Sequence, residues 1–149
     1  MAKDDISAVN LRTGEIYGLV AKSKRGGHPY GFAFHITGEE EYEAALRHLR
    51  GEECRVFCFL PIVMKRGNWV HATPSLISER VGIHYVTASR IMAKLVRQRI
   101  VGEIDGGRQF NPRIAWKGST PELRKAIVRW DAESRRLAEK ARLKLRAVE

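Results

Sequence analysis

The chain has 149 residues, 44% of them hydrophobic, and its 27 Lys and Arg residues outnumber its 17 Asp and Glu residues by ten. That length suits one compact domain, or a small domain with an appended element at each end. The hydrophobic share suffices for a core, which excludes disorder throughout. A net charge of +10 favours a polyanionic partner, most commonly nucleic acid. The sequence has neither a signal peptide nor a run of about 20 apolar residues, so we expect a cytoplasmic protein with no membrane partner.

The N-terminal segment, residues 1–38, is predicted to form a β-hairpin. Its strands are Glu15–Ala21 and Tyr30–Ile36, which are rich in β-forming residues. The connection Lys22–Pro29 contains two glycines and a proline. Three basic residues in this connection are more typical of a solvated loop than of a contact with phosphate. They are Lys22, Lys24 and Arg25.

Two helices are predicted next. The first covers Glu39–Leu49, and the second is an apolar helix over Glu52–Leu60 that Pro61 should kink or end, because proline lacks the amide proton of the helix ladder. Cys54 and Cys58 lie one helical turn apart on the second helix. No other ligands at metal-site spacing accompany them, so buried free thiols are favoured over a disulfide or a metal site. We expect no cofactor.

A helix-turn-helix is predicted from residue 73 onward. Thr73 provides an N-cap oxygen, Pro74 occupies the first helical position, and Gly82 supplies the turn. A second helix follows over residues 85–99. Its inner face is formed by Ala88, Ile91 and Leu95. The alternative is a plain two-helix hairpin with a solvated outer face, which the turn, the spacing and the charge together disfavour.

The outward side of this second helix suits insertion into the major groove of DNA, because polar, aromatic and basic side chains cluster at its N-terminal end. The predicted base contacts are His84, Tyr85, Val86, Ser89 and Arg90. Arg90 suits a two-pronged hydrogen bond to guanine. Other contacts would fix the position of the DNA backbone without reading sequence. These predicted backbone contacts are Thr73, Thr87, Lys94 and Arg108.

A further β-hairpin is predicted directly after this helix. Arg99–Ile104 and Arg108–Phe110 form its strands around the tight-turn sequence Asp105-Gly106-Gly107. A recognition helix followed by a hairpin is the layout of a winged helix, so residues 39–118 are expected to form a winged helix-turn-helix domain. For Arg108, beside the tip of the wing, contact with DNA and plain solvent exposure are equally favoured.

The order of these parts resembles the RepL-like plasmid replication proteins. Thr13-Gly14-Glu15 opens the N-terminal hairpin much as in that family. Asn111-Pro112 followed by Trp116-Lys117-Gly118 is similar to the close of the family's winged domain. The resemblance covers residues 13–118. It implies a protein that initiates or controls plasmid replication by binding an origin.

Residues 119–149 are predicted to form one long helix, since Thr120-Pro121 repeats the start with a cap and a proline. Apolar or small residues recur along this helix at nearly heptad spacing. They are Leu123, Ile127, Trp130, Ser134, Leu137, Ala141, Leu145 and Val148. We expect this seam to pair with a second copy, giving a homodimer on an inverted-repeat site. The alternative is that Trp130 and its neighbours pack on the chain's own winged domain.

Together these features predict an α+β fold, a winged helix-turn-helix with an N-terminal β-hairpin and a long C-terminal helix. The predicted function is sequence-specific binding of double-stranded DNA at origin repeats, in the initiation or control of plasmid replication. Besides DNA, the expected partners are the replication or transcription machinery. The alternative is a transcriptional repressor that uses the same winged helix on a promoter operator. An enzyme is not expected, because the sequence lacks a phosphate-cradling Gly-rich loop and clustered carboxylates for two-metal chemistry.

Overall fold

The computed structural model describes the backbone of residues 4–9 and 16–21, and the backbone and side chains of residues 34–147. Over these residues the chain is an α+β fold with five helices and three two-stranded antiparallel sheets. The helices are α1 (Glu39–Arg47), α2 (Glu52–Val63), α3 (Pro74–Val81), α4 (Tyr85–Arg97) and α5 (Thr120–Arg146). The strands are β1 (Asp4–Val9), β2 (Ile16–Ala21), β3 (His35–Ile36), β4 (Val101–Ile104), β5 (Gly107–Phe110) and β6 (Ala115–Trp116).

The N-terminal hairpin that the structure describes consists of β1 and β2. β2 covers Ile16–Ala21 of the predicted strand Glu15–Ala21, and its antiparallel partner among the described residues is β1. Of the predicted partner strand Tyr30–Ile36, residues 30–33 lie outside the described part of the chain. The prediction missed β1 because its sequence opens with two aspartates, a residue type that is depleted in strands. Residues 10–15 and 22–33, which include the predicted connection Lys22–Pro29, lie outside the described part of the chain.

β3 belongs to a different sheet. It pairs antiparallel with β6, so that His35 lies opposite Trp116. Thr37 extends this pairing, because its N–H donates to the Ile114 carbonyl at 3.0 Å and its hydroxyl donates to the Pro112 carbonyl at 2.7 Å. The segment before α1 is therefore attached to the segment that follows the second hairpin.

The core lies between α1–α4 and the strands β4–β6. α2 contributes Val56, Phe57 and Leu60, each of which is fully buried. The ring of Phe57 lies 5.3 Å from the Tyr42 ring of α1 and 5.8 Å from the Phe110 ring of β5. One aromatic side chain therefore joins two helices and the hairpin into a single core.

α2 continues past Pro61 to Val63, whereas the sequence predicted a kink or an end at this proline. Pro61 lies in the last turn, where its missing N–H removes one hydrogen bond of the helix. The Met64 N–H still donates to the Leu60 carbonyl at 2.9 Å. Pro61 itself is buried, so core packing holds the last turn in helical form despite the lost bond.

Cys54 and Cys58 of α2 are free thiols, and both are half-buried rather than fully buried as predicted. Burial is the largest cause that raises the pKa of each thiol above its ordinary value. Burial, with the neighbouring Cys58, also raises the pKa of Tyr42 to about 12. Both sulfurs therefore stay protonated at neutral pH and serve as packing groups.

Two short helices joined by a glycine turn follow, at the positions that the sequence predicts. The Thr73 hydroxyl caps α3 by accepting a hydrogen bond from the Leu76 N–H at 3.2 Å. Gly82 ends α3 at φ 74°, a left-handed conformation that favours glycine. Ile83 is buried beneath the turn and α4 begins at Tyr85, so the crossing of the two helices is fixed by the core.

The β4–β5 hairpin follows α4 at the predicted place, but β4 begins two residues later than predicted and β5 begins one residue earlier, at Gly107. α4 ends at Arg97, and Arg99 turns the chain at φ 58° before β4 begins at Val101. Asp105 at φ 50° and Gly106 at φ 77° form the tight turn. Both are left-handed, which is the geometry that Asp-Gly sequences favour between paired strands.

The segment between α2 and α3 lies beside this hairpin. The Val70 N–H donates to the Arg108 carbonyl and the Phe110 N–H donates to the Asn68 carbonyl, both at 2.9 Å. These two bonds flank an isolated β-bridge between Trp69 and Gln109, which attaches this segment to β5.

Asn68 is fully buried and adopts φ 64°. Its side-chain amide donates to the carbonyls of Phe110 at 3.1 Å and Ala115 at 2.6 Å, and its Oδ1 accepts from the Lys117 N–H at 2.8 Å. One side chain thus satisfies three backbone groups of the hairpin and of the segment after it.

α5 packs on the hairpin over its N-terminal half. Trp130 is 3% exposed, and a Cβ on Gly102 of β4 would lie 2.6 Å from its ring, so the glycine permits the close approach. The Arg99 guanidinium lies 4.5 Å above the Trp130 ring and donates to the Ser134 hydroxyl at 2.9 Å. Of the predicted seam, Trp130 therefore packs on the chain's own hairpin, and Ser134 contacts Arg99 just before it. Residues 135–146 are exposed on all sides of the helix.

Ion pairs flank the packed half of α5. They are Arg66–Glu122 (3.0 Å), Arg113–Asp131 (2.6 Å) and Arg129–Asp105 (3.5 Å). Glu122 also begins the helix, since its carboxylate accepts hydrogen bonds from the N–H and the hydroxyl of Ser119. The Ser119 N–H, followed by Arg66, lowers the pKa of Glu122 to about 2.

Candidate nucleic-acid interface

α4 has one sealed face and one exposed face. The sealed face consists of Ala88, Ile91, Met92 and Leu95, none more than 3% exposed. Three of these four were predicted, and Met92 adds a fourth. On the opposite side Tyr85 is 52% exposed and Val86 is 63% exposed. Exposed large apolar side chains beside polar ones are typical of a contact surface for a partner.

The predicted base contacts lie at the start of α4 or on its exposed side. They are His84, Tyr85, Val86, Ser89 and Arg90. His84 is the N-cap of α4, because its Nδ1 accepts a hydrogen bond from the Val86 N–H at 3.2 Å. The cap fixes the ring at the end of the helix and leaves Nε2 free to contact a ligand.

Arg90 lines a cleft of about 270 Å³ between α4 and the start of α2. The charged side chains around the cleft are Arg50, Glu52, Glu53, Arg90, Lys94 and Arg97. Arg90 is exposed and forms no ion pair within the described residues; its charge contributes only weakly to the lowered pKa of Glu53. Its guanidinium is therefore available to an external acceptor.

Lys94, which is predicted to contact phosphate, is paired within the chain. Its ammonium lies 2.7 Å from the Glu53 carboxylate of α2 and donates to the His48 carbonyl at 3.2 Å. The two charged side chains are only 29% and 25% exposed. The hydrogen bond from Lys94 is the largest cause of the lowered pKa of Glu53. Lys94 is thus engaged within the chain.

The side chains of the other three predicted backbone contacts differ in how accessible they are to an external partner. Thr73 is exposed, but its hydroxyl oxygen already accepts the capping bond of α3. Thr87 is half-buried at the edge of the cleft. Arg108 is exposed on the hairpin, directly opposite Glu103 of β4. Of this group, Arg108 has the side chain best placed to reach beyond the protein surface.

Two residues that shape the interface were missed by sequence reasoning. Glu53 holds Lys94 from 41 positions away along the chain. Asn68 bonds to backbone groups that are 42 to 49 positions away. Local patterns do not report such distant partners. The one available signal was that asparagine favours the left-handed conformation that residue 68 adopts.

Within the described residues, no group of three or more His, Cys, Asp or Glu side chains is arranged to hold a metal ion. None of the described helices combines the length and the apolar character that crossing a bilayer requires. Comparisons with protein-family models, curated proteins and solved structures find no match to this chain.

Proposed function

We propose that this protein is a winged helix-turn-helix protein that binds double-stranded DNA with α4 in the major groove and the β4–β5 hairpin as the wing. The order of elements supports this assignment. α2, α3, α4 and the β4–β5 hairpin follow one another as helix, helix, helix and wing. Between α2 and α3, Trp69 forms a β-bridge with Gln109 of β5, which joins the wing to the helices.

The single observation that carries the proposal is that α4 has one buried face and one exposed face. Its inner residues are at most 3% exposed, while Tyr85, Val86, Ser89 and Arg90 form an exposed outer face at the N-terminal end. A recognition helix needs this arrangement, because the core must hold one face while the other enters the groove. The chain's net charge of +10 supplies the long-range attraction to phosphate.

In this proposal Arg90 reads a guanine, and His84, Tyr85, Val86 and Ser89 contact neighbouring bases. Thr73, Thr87 and Arg108 contact the DNA backbone. Lys94 is excluded from the interface as long as Glu53 holds it. The proposed surface therefore reads bases mainly from the first turn and a half of α4.

The biological setting that we propose is the initiation or control of plasmid replication, through binding of origin repeats. It rests on the resemblance of the run 111–118 to RepL-like proteins. Several residues of this run are structural: Pro112 and Trp116 are buried, and the Asn111 amide donates to the Arg99 carbonyl at 3.1 Å. They mark how the winged domain closes and do not contact DNA. Mapping the bound sites separates origin repeats from a promoter operator, which would indicate a repressor instead.

The test is a comparison of Arg90→Ala with Arg124→Ala, which removes the same charge from an exposed position on α5. Preferred duplexes are first selected from a random pool, and affinities are measured by fluorescence anisotropy. We expect Arg90→Ala to lose about 1–3 kcal/mol on the preferred site and little on random DNA. Arg124→Ala should weaken both equally and slightly.

Equal losses on both duplexes for Arg90→Ala would reassign Arg90 to the DNA backbone. A second measurement tests the interface as a whole. Nuclear magnetic resonance signals of residues 85–94 should shift when duplex DNA is added at low ionic strength. Unchanged signals there would contradict the proposed function.

A further inference from the structure

α5 leaves the folded body at the end of the hairpin opposite its turn. Going along the helix, Arg129 pairs with Asp105 in the turn, Trp130 packs on Gly102 in the middle of β4, and Ser134 meets Arg99 before β4 begins. α5 therefore runs from the turn of the hairpin to its base. Its remaining residues continue past the base, away from the turn.

These remaining residues, Arg135–Arg146, form what we call the distal arm. All twelve are exposed, and the arm carries six basic residues against one acidic residue, a net charge of +5. The basic residues are Arg135, Arg136, Lys140, Arg142, Lys144 and Arg146, of which Arg136 pairs with Glu133 at 2.7 Å. As a helix the arm is about 18 Å long. Such a charge density matches a polyanion, because duplex DNA carries one phosphate per about 1.7 Å of its axis.

A second copy of the chain fits the distal arm less well than a polyanion does. Trp130 and Ser134 are occupied within the chain, so the apolar stripe that remains on the arm is Leu137, Ala141 and Leu145. That is under two heptads, whereas a stable coiled coil needs about three or four. Two arms side by side would also bring together two net charges of +5. A phosphate backbone would neutralise this charge instead.

We infer that the distal arm is a second nucleic-acid contact, which binds the phosphates of a DNA duplex other than the one held by α4 and the wing. This inference rests on the proposed function for the first duplex. If the turn of the hairpin approaches that duplex, the arm extends in the opposite direction. The protein would then bridge two duplex segments, with the first recognised by sequence and the second by charge.

The test uses the full chain and two duplexes. A duplex with the preferred site is fixed to beads and saturated with protein, and a labelled duplex of unrelated sequence is added at low salt. The arm variant replaces all six basic residues of the arm by Gln, which retains helix propensity. The matched control, L137A with L145A, removes the apolar stripe and leaves the charge unchanged.

We expect the amount of labelled duplex captured on the beads to be about ten-fold lower, or lower still, with the arm variant than with the wild type, because several phosphate contacts are lost. Its affinity for a short duplex carrying only the preferred site should change less than about three-fold, since the arm does not reach that duplex. The L137A and L145A control should retain as much label as the wild type.

Three outcomes would overturn the inference. The arm variant could bridge the two duplexes as fully as the wild type, or it could lose as much affinity for the short duplex as it loses in capture of the labelled duplex. The third outcome is that the L137A and L145A control loses bridging and that light scattering shows the wild type to be a dimer. Failure of the proposed function is distinguishable from all three. In that case the wild-type protein would not bind the duplex on the beads, before any labelled DNA is added.

Discussion

α4 and α5 are both amphipathic helices, but their apolar faces are covered to different extents. In α4 the whole face, from Ala88 to Leu95, is sealed inside the core. In α5 the face is covered as far as Ser134 and is exposed beyond it, where Leu145 is 73% exposed. Apolar periodicity thus identifies which side of a helix is apolar, but it does not report how far that side is covered or by what.

The largest expected effect tests the packed half of α5. Trp130→Ala should lower the free energy of unfolding by about 3–5 kcal/mol, because it empties a large buried site between α5 and Gly102. Leu145→Ala, on the exposed half, should change it by less than about 0.5 kcal/mol. Chemical denaturation of the two variants measures the contrast. Similar losses would show that both halves of α5 are covered.

The next effect tests the sealed face of α4. Leu95→Ala should lower the free energy of unfolding by about 2–5 kcal/mol, since Leu95 is fully buried. Val86→Ala is the matched control on the exposed face and should leave stability nearly unchanged. If Val86→Ala proves as destabilising as Leu95→Ala, the outer face of α4 is covered and is not free to enter a groove.

A smaller effect, on the affinity for DNA, is expected from the ion pair that joins α4 to α2. Glu53→Gln should release the Lys94 ammonium from its 2.7 Å ion pair and let it contact phosphate. Affinity for random DNA should then rise, and the slope of log affinity against log salt should steepen by about one unit. The double variant Glu53→Gln with Lys94→Gln should cancel both changes. An unchanged slope in a folded Glu53→Gln protein would show that Lys94 stays out of reach of DNA.

The smallest effect concerns the start of α5. The pKa of Glu122 is about 2, below its ordinary value of 4.5, so its carboxylate stabilises the folded state above pH 4.5 and loses this contribution as the pH falls towards 2. Glu122→Gln should therefore be less stable than the wild type at neutral pH. Near pH 2 the two proteins should converge. Thermal unfolding across this pH range measures the difference, and a constant gap would contradict it.

The parts of the fold that sequence predicts are those with local signals. Thr73 and Gly82 set the ends of α3, and Asp105-Gly106 sets the hairpin turn, because each acts on its immediate neighbours. The exposed side of α4 followed from the spacing of Ala88, Ile91 and Leu95. These features needed no knowledge of the rest of the chain.

The parts that sequence missed depend on distant partners. β3 pairs with β6 rather than with β2, and Lys94 bonds to Glu53, although neither pair is marked by its local sequence. The packing of α5 on the hairpin depends on Gly102, because the missing side chain lets the Trp130 ring approach β4 closely. A glycine in a short strand does not by itself reveal which side chain approaches it.

The pairing of β3 with β6 has a consequence for the order of folding. The Thr37 hydroxyl and the Pro112 carbonyl that it contacts are 75 residues apart, and all of α1–α4 lies between them. Closing so long a loop has a large entropic cost, so this short ladder should form after the helices have already brought its ends together. In native-state hydrogen exchange, we expect the Thr37 amide to open at lower free energy than the amides of α4.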